Sequence, residues 1–202
     1  MSKNMTISAL TIAAAITLAG CAGTPQSAPS STAASMNGGM GMSSSPSAAD
    51  SDHNAADTMF VQGMIPHHAQ AVEMSEMMLS KQNVDERITA LAKKIKDAQA
   101  PEIDLMTGWL KTWDEPTQMA PGHDMGDGMM GDDDLEKLDA AEGNDAGMLF
   151  LRQMIAHHEG AVMMAKAEIN QGKNPETIKL SRTIVASQEA EIEEMKSLLV
   201  TL

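Results

Sequence analysis

Two phrases, "MIPHHAQAVEM" at residues 64–74 and "MIAHHEGAVMM" at residues 154–164, are nearly the same and start ninety positions apart. Each sets a histidine pair among methionine, isoleucine, alanine and valine. Around the first, Phe60, Met64, His67, Ala71, Met74 and Met78 step by four and three, the spacing of one face of an α-helix. Around the second, Phe150, Met154, His157, Ala161 and Met164 do the same. His68 and His158 fall on the adjacent stripe, with Val61, Ile65 and Val72 in one copy and Leu151, Ile155 and Val162 in the other. The spacing predicts helices over residues 57–80 and 145–170.

Each predicted helix is followed by a second, over residues 84–113 and 175–201. These share Ile95-x₃-Gln99-x₂-Glu102-Ile103-x₂-Met106, matched by Ile184-x₃-Gln188-x₂-Glu191-Ile192-x₂-Met195. Asn174 before Pro175 is a good helix start, an N-cap followed by proline at the first helical position. Asn83 is expected to cap the earlier helix in the same way. Pro101 should bend or restart its helix, because it has no N–H to bond back to Asp97. The chain is thus an αα-hairpin written twice, and two hairpins with matching apolar faces should pack as an all-α four-helix bundle. Residues 116–134, rich in Gly, Asp and Met, form the crossover, with a short helical turn expected at 135–141. The repeat predicts that His67 and His157 meet near a pseudo-twofold axis, with the crossover on the outside.

The start of the chain reads differently. Residues 1–20 carry Lys3, an apolar run from about Ile7 to Ala19, and "LAGC" ending at Cys21, the pattern of a bacterial lipoprotein signal. Cys21 is the single cysteine of the chain, so no disulfide can form within it, and the expected role of its thiol is to carry lipid. Residues 21–56 are rich in Ser, Ala, Pro and Gly and read as a flexible lipidated tether. The folded domain is then 57–202, held outside the cytoplasmic membrane, in the periplasm or on the outer face of the cell membrane. A net charge of −14 argues against nucleic acid, which needs a basic surface, and favours cations. With two Phe, two Trp and no Tyr against twenty Met, the core must be aliphatic and methionine-filled.

The doubled M-I-x-H-H-x-x-A-V phrase, each copy followed by Q-x-x-E-I-x-x-M, resembles the bacterial domain-of-unknown-function family 305 over residues 57–202. That resemblance implies a ferritin-like helical bundle in secreted, periplasmic or lipoprotein contexts, with some members associated with binding and tolerating copper. The motif positions it carries over are His67, His68, His157 and His158, with Met64 and Met154 three residues ahead of each pair. Pro101, and Glu73 where the other copy has Met163, depart from the repeat.

The donor types favour a soft ion on their own account. Di-iron bundles place Glu three residues before a histidine, whereas Met64 and Met154 stand there in this chain. Zinc prefers thiolate, imidazole and carboxylate, and a haem reading lacks an attachment motif. Imidazole with thioether suits copper(I) or silver(I). The expected set is His67, His68, His157, His158, Met64 and Met154, with Met74 and Met164 one or two turns on. Glu102 and Glu191 are candidates to partner the histidines or join the site. A looser capture set lies in the crossover: His123, Met119, Met125, Met129 and Met130. Proton competition should weaken the histidine site as pH falls through about 6 to 5. The competing reading is a bundle without metal, structural or partner-binding, in which methionines fill core and histidines are hydrogen-bonded. No catalytic constellation is visible, so an enzyme is not expected. A copper-handling protein would be the natural partner.

The anchor is directly testable. Cys21→Ser should block lipoprotein processing and reduce stable membrane association, read by fractionation and metabolic lipid labelling. A variant that still appears mature and lipid-labelled in membranes would refute it.

Overall fold

Asn54 opens the first helix, its side chain accepting the N–H groups of Ala56 and Asp57 while the Asp57 carboxylate accepts the N–H of Asn54. This reciprocal capping box fixes where that helix starts. In a computed structural model of the chain, residues 52–119 and 128–202 are described. They form α1 (Ala55–Ser80), α2 (Glu86–Trp113), α3 (Asp132–Ala140), α4 (Gly143–Gln171) and α5 (Pro175–Thr201). No strand occurs among the described residues, and no helix there is long and apolar enough to cross a membrane. The signal, Cys21 and the tether up to residue 51 lie outside the described residues, as do His123 and Met125.

The long helices α1, α2, α4 and α5 form a four-helix bundle. α1 packs on α2, α4 packs on α5, and the two hairpins join along α1 and α4, with α3 resting on that central pair. Asn174 caps α5 with Pro175 at the first position, as the sequence suggests. Asn83 does not cap α2. It sits in the left-handed region at φ 57°, which Asn tolerates better than most residues, and Asp85 supplies the cap by accepting the Arg87 N–H. α2 runs unbroken through Pro101. Pro101 and Asp97 are both exposed, so water can satisfy the carbonyl that the proline leaves unbonded. α1 likewise absorbs Pro66, immediately before its histidine pair.

The apolar interior is divided in two. One cluster holds Met74, Met78, Ile88, Leu91, Ile95, Phe150, Met154, Ile192 and Met195; the other holds Phe60, Val61, Met64, Met106, Leu110, Ala161 and Ile184. Every long helix passes from one cluster to the other at buried polar residues. α1 does so at His67 and His68, α4 at His157 and His158, α2 at Gln99, and α5 at Gln188 and Glu191. The repeated motif is therefore a polar layer across the middle of the bundle.

Asp57 joins the two hairpins at one end. Fully buried, its carboxylate accepts the hydroxyl of Thr177 and the backbone N–H groups of Asn54, Lys173 and Asn174. Burial alone would raise its pKa; hydrogen bonds from the Glu168 carboxyl beside it and from the groups just named outweigh this and hold it below the usual range. Asp57→Ala would leave those donors buried without an acceptor, at a cost of about 3 kcal/mol. That corresponds to a melting temperature lower by roughly 10 °C. Calorimetry checks this, and a fall of under about 2 °C would show that the junction carries little stability.

Candidate metal centre

Adjacent residues on a helix point about 100° apart, so the two histidines of each pair cannot face the same neighbour. The structure separates them accordingly. His67 and His157 turn toward each other across the α1–α4 seam, ring centroids 3.7 Å apart and planes tilted by 41°. His68 turns to α2, its Nε2 2.7 Å from Glu102 Oε2, and His158 turns to α5, its Nε2 2.9 Å from Glu191 Oε2. All four imidazoles are fully buried. With a carboxylate as acceptor, Nε2 carries the proton in His68 and His158. Each Nδ1 then presents a lone pair to the interior, and neither has a hydrogen-bond partner among the described residues.

The methionines sort by layer. Met64 and Met154 are fully buried, each one helical turn from its own histidine, Met64 in one apolar cluster and Met154 in the other. Antiparallel α1 and α4 thus set the His67–His157 pair between two thioethers, one on either side. Met74 and Met164 are carried further out, about 10 Å along their helices from His67 and His157. Met74 lies in the first cluster and Met164 against the second. No three His, Cys, Asp or Glu side chains among the described residues are grouped to hold a metal ion. The geometry therefore gives one imidazole pair with flanking thioethers, and two outer histidines already engaged by carboxylates, in place of a single four-imidazole cluster.

The described ends of the crossover lie against α1 and α4. Gln62 Nε2 donates to the Pro116 carbonyl, Gln70 bonds both the N–H and the carbonyl of Met130, and Gln153 Nε2 donates to the Asp134 carbonyl. Gly128, at φ +93°, lies directly on α4. A β-carbon there would come within 2.7 Å of the Ala156 carbonyl oxygen and 3.1 Å of that of His157. The segment carrying Met129 and Met130, both half-buried, is held over the histidine layer in this way. The sequence reading missed Gln62, Gln70, Gln153 and Gly128. The glutamines recur on the α1 and α4 faces that carry the histidines, which was the available signal.

Burial sets the protonation of the centre. It lowers His157 from 6.5 to about 2, and charges on His67, His158 and His68 would oppose a proton further. His158 is lowered too, by burial first, with Glu191 pulling the other way. Burial of His157 and His158 thus works against the loss of metal affinity expected between pH 6 and 5, because an imidazole kept neutral does not compete for protons there.

Stability in the metal-free protein follows from the same shifts. The unfolded chain protonates His157 below about 6.5 and the fold does not, so stability falls as pH drops from there, by ~1.4 kcal/mol per unit. Glu168 opposes this. Burial raises it from 4.5 to about 7, so the fold keeps a proton that the unfolded chain releases above 4.5, and this contribution fades as pH rises. Between pH 6.5 and 4.5 the two slopes partly offset. Glu168→Gln should therefore steepen the fall of melting temperature across that window, and equal slopes in variant and wild type would contradict the assignment.

Comparison with known proteins bears on this centre. The family described as domain of unknown function DUF305 matches residues 57–199. A DUF305 protein from Streptomyces coelicolor, described as a candidate secreted protein, is similar in structure at 34% identity and a TM-score of 0.69, covering 72% of this chain and 93% of that one. A DUF305 fragment from Deinococcus radiodurans matches at 32% identity and 0.67, covering 74% and 98%. CopM in its Cu(I)-bound form matches at 35% identity and 0.60, covering 72% and 96%, and CopM is also known in Cu(II)-bound and silver-bound forms. No curated protein sequence matches the chain. The coverage of residues 57–199, through both His-His phrases and both hairpins, makes this chain a member of the DUF305 family.

Proposed function

We propose that the protein is an extracytoplasmic binding protein for soft metal ions, copper(I) foremost and silver(I) as its mimic, that buffers or sequesters copper. The observation that carries this reading is the buried His67–His157 pair between the thioethers of Met64 and Met154. Such a set holds neutral, soft donors away from water and from competing protons, and suits Cu(I) and Ag(I) above Zn(II) and Fe(II). The copper- and silver-bound forms of CopM support it by similarity. The role is binding without turnover. Cys21 would anchor the protein by lipid to the outer side of a bacterial membrane, where a copper-handling partner could load or unload it.

A second reading draws on His68–Glu102 and His158–Glu191, which satisfy those two histidines without an ion. On that reading the layer is a structural polar core, and copper leaves the melting temperature unchanged.

The deciding experiment titrates wild type and His67→Ala/His157→Ala with Cu(I) against a chromogenic competitor under reducing conditions. The wild type should bind Cu(I) with an affinity at least about 100-fold above the variant, and should melt higher in its presence by mass action. His67→Gln/His157→Gln, closer in volume, guards against a folding artefact. Equal stoichiometry and affinity in all three would return the layer to the structural reading.

A further inference from the structure

Met164 does not join the histidine layer, and its position has a use of its own. It lies at the far end of the α1–α4 seam, over Gly63 of α1. A β-carbon built on Gly63 would stand 3.7 Å from Met164 Sδ and 3.5 Å from Met119 Cε. Two thioether side chains, one from α4 and one from the crossover, thus reach the same point above a residue with no side chain of its own. One helical turn earlier on α1, Met59 lines the same cleft and is 53% exposed. The cleft measures about 500 Å³, and its remaining walls include Phe60 and small alanines. The one ionisable residue among its lining is Glu168, itself 2% exposed.

We propose that Met59, Met119 and Met164 form a second soft-ion site, made of thioethers alone, for a monovalent cation of the Cu(I) or Ag(I) class. Core filling accounts for Met164, which packs against the second apolar cluster, but not for the convergence of all three. The cleft is open, Met59 is half in solvent, and Met119 stands in the connection that leaves α2. Neutral, polarisable thioethers from three separate segments offer little to a hard or divalent ion. The site does not depend on the histidine pair, which lies about 12 Å along α1 from Met59. In the bundle it stands at the surface, where an ion can arrive directly, while the histidine pair is fully buried.

The test uses the full chain labelled with ¹³C at the methionine ε-methyls and titrated with Ag(I), which is redox-inert. In His67→Ala/His157→Ala, the ε-methyl signals of Met59, Met119 and Met164 should still shift together, over one silver equivalent. In Met59→Leu/Met119→Leu/Met164→Leu, a near volume-conserving change, one equivalent should be lost while histidine-dependent binding remains. The proposal is overturned if the triple variant binds as many silver ions as the wild type with the same affinity, or if the three methyls respond independently. Failure of the histidine site would appear separately, as a double-alanine variant indistinguishable from wild type.

Discussion

Four imidazoles and two glutamates in the middle of an aliphatic bundle are the constraint on which the rest of this structure depends. Taking unpaired polar groups out of water costs several kcal/mol each, so their position along the helices cannot drift. Glu102 and Glu191 must arrive opposite His68 and His158, which fixes the register of each hairpin. His67 and His157 must arrive opposite one another, which fixes the register between hairpins. The apolar clusters on either side supply most of the burial, but each would tolerate sliding better than the layer between them does. The hydrophobic effect is non-directional; the polar layer says where the helices stop.

Much of this was legible in the chain. The four-and-three spacing marked the long helices, the repeated Q-x-x-E marked their partners, and the symmetry of the two phrases placed His67 beside His157. The Asn174–Pro175 start was read correctly, because capping is local chemistry. Asn83 was misread because Asn serves equally as a cap and as a left-handed turn residue, and only the geometry of the α1–α2 connection decides between them. The division of each histidine pair follows from 100° per residue and was available from sequence. The adjacent-stripe placement of His68 and His158, with Glu102 and Glu191 as candidate partners, expressed it. Contacts such as Gln70 to Met130 and Gly128 to α4 were not legible, since they join segments that share no period.

Methionine serves two purposes here, separated by exposure. Met64, Met74, Met78, Met106, Met154 and Met195 are fully buried and replace the aromatic residues the composition lacks. Their flexible side chains fill the irregular space around a polar layer that stiffer side chains would fit poorly. Met59, Met119 and Met164 line an open cleft, and only Met164 also packs against the core. The same side chain is packing material in the first group and a reactive donor in the second, and only its surroundings distinguish them.

The pinning of the crossover has an evolutionary consequence. Gln62 holds Pro116, and Gln70 and Gly128 hold the chain where it returns to α4. The attachment points belong to the same two helices that carry the histidine pairs. A single residue added inside α1 or α4 would rotate the histidines off their layer by about 100° and swing the glutamines away from their partners at the same time. The length of these two helices is therefore inherited under two constraints at once, one from the interior and one from the chain laid over it.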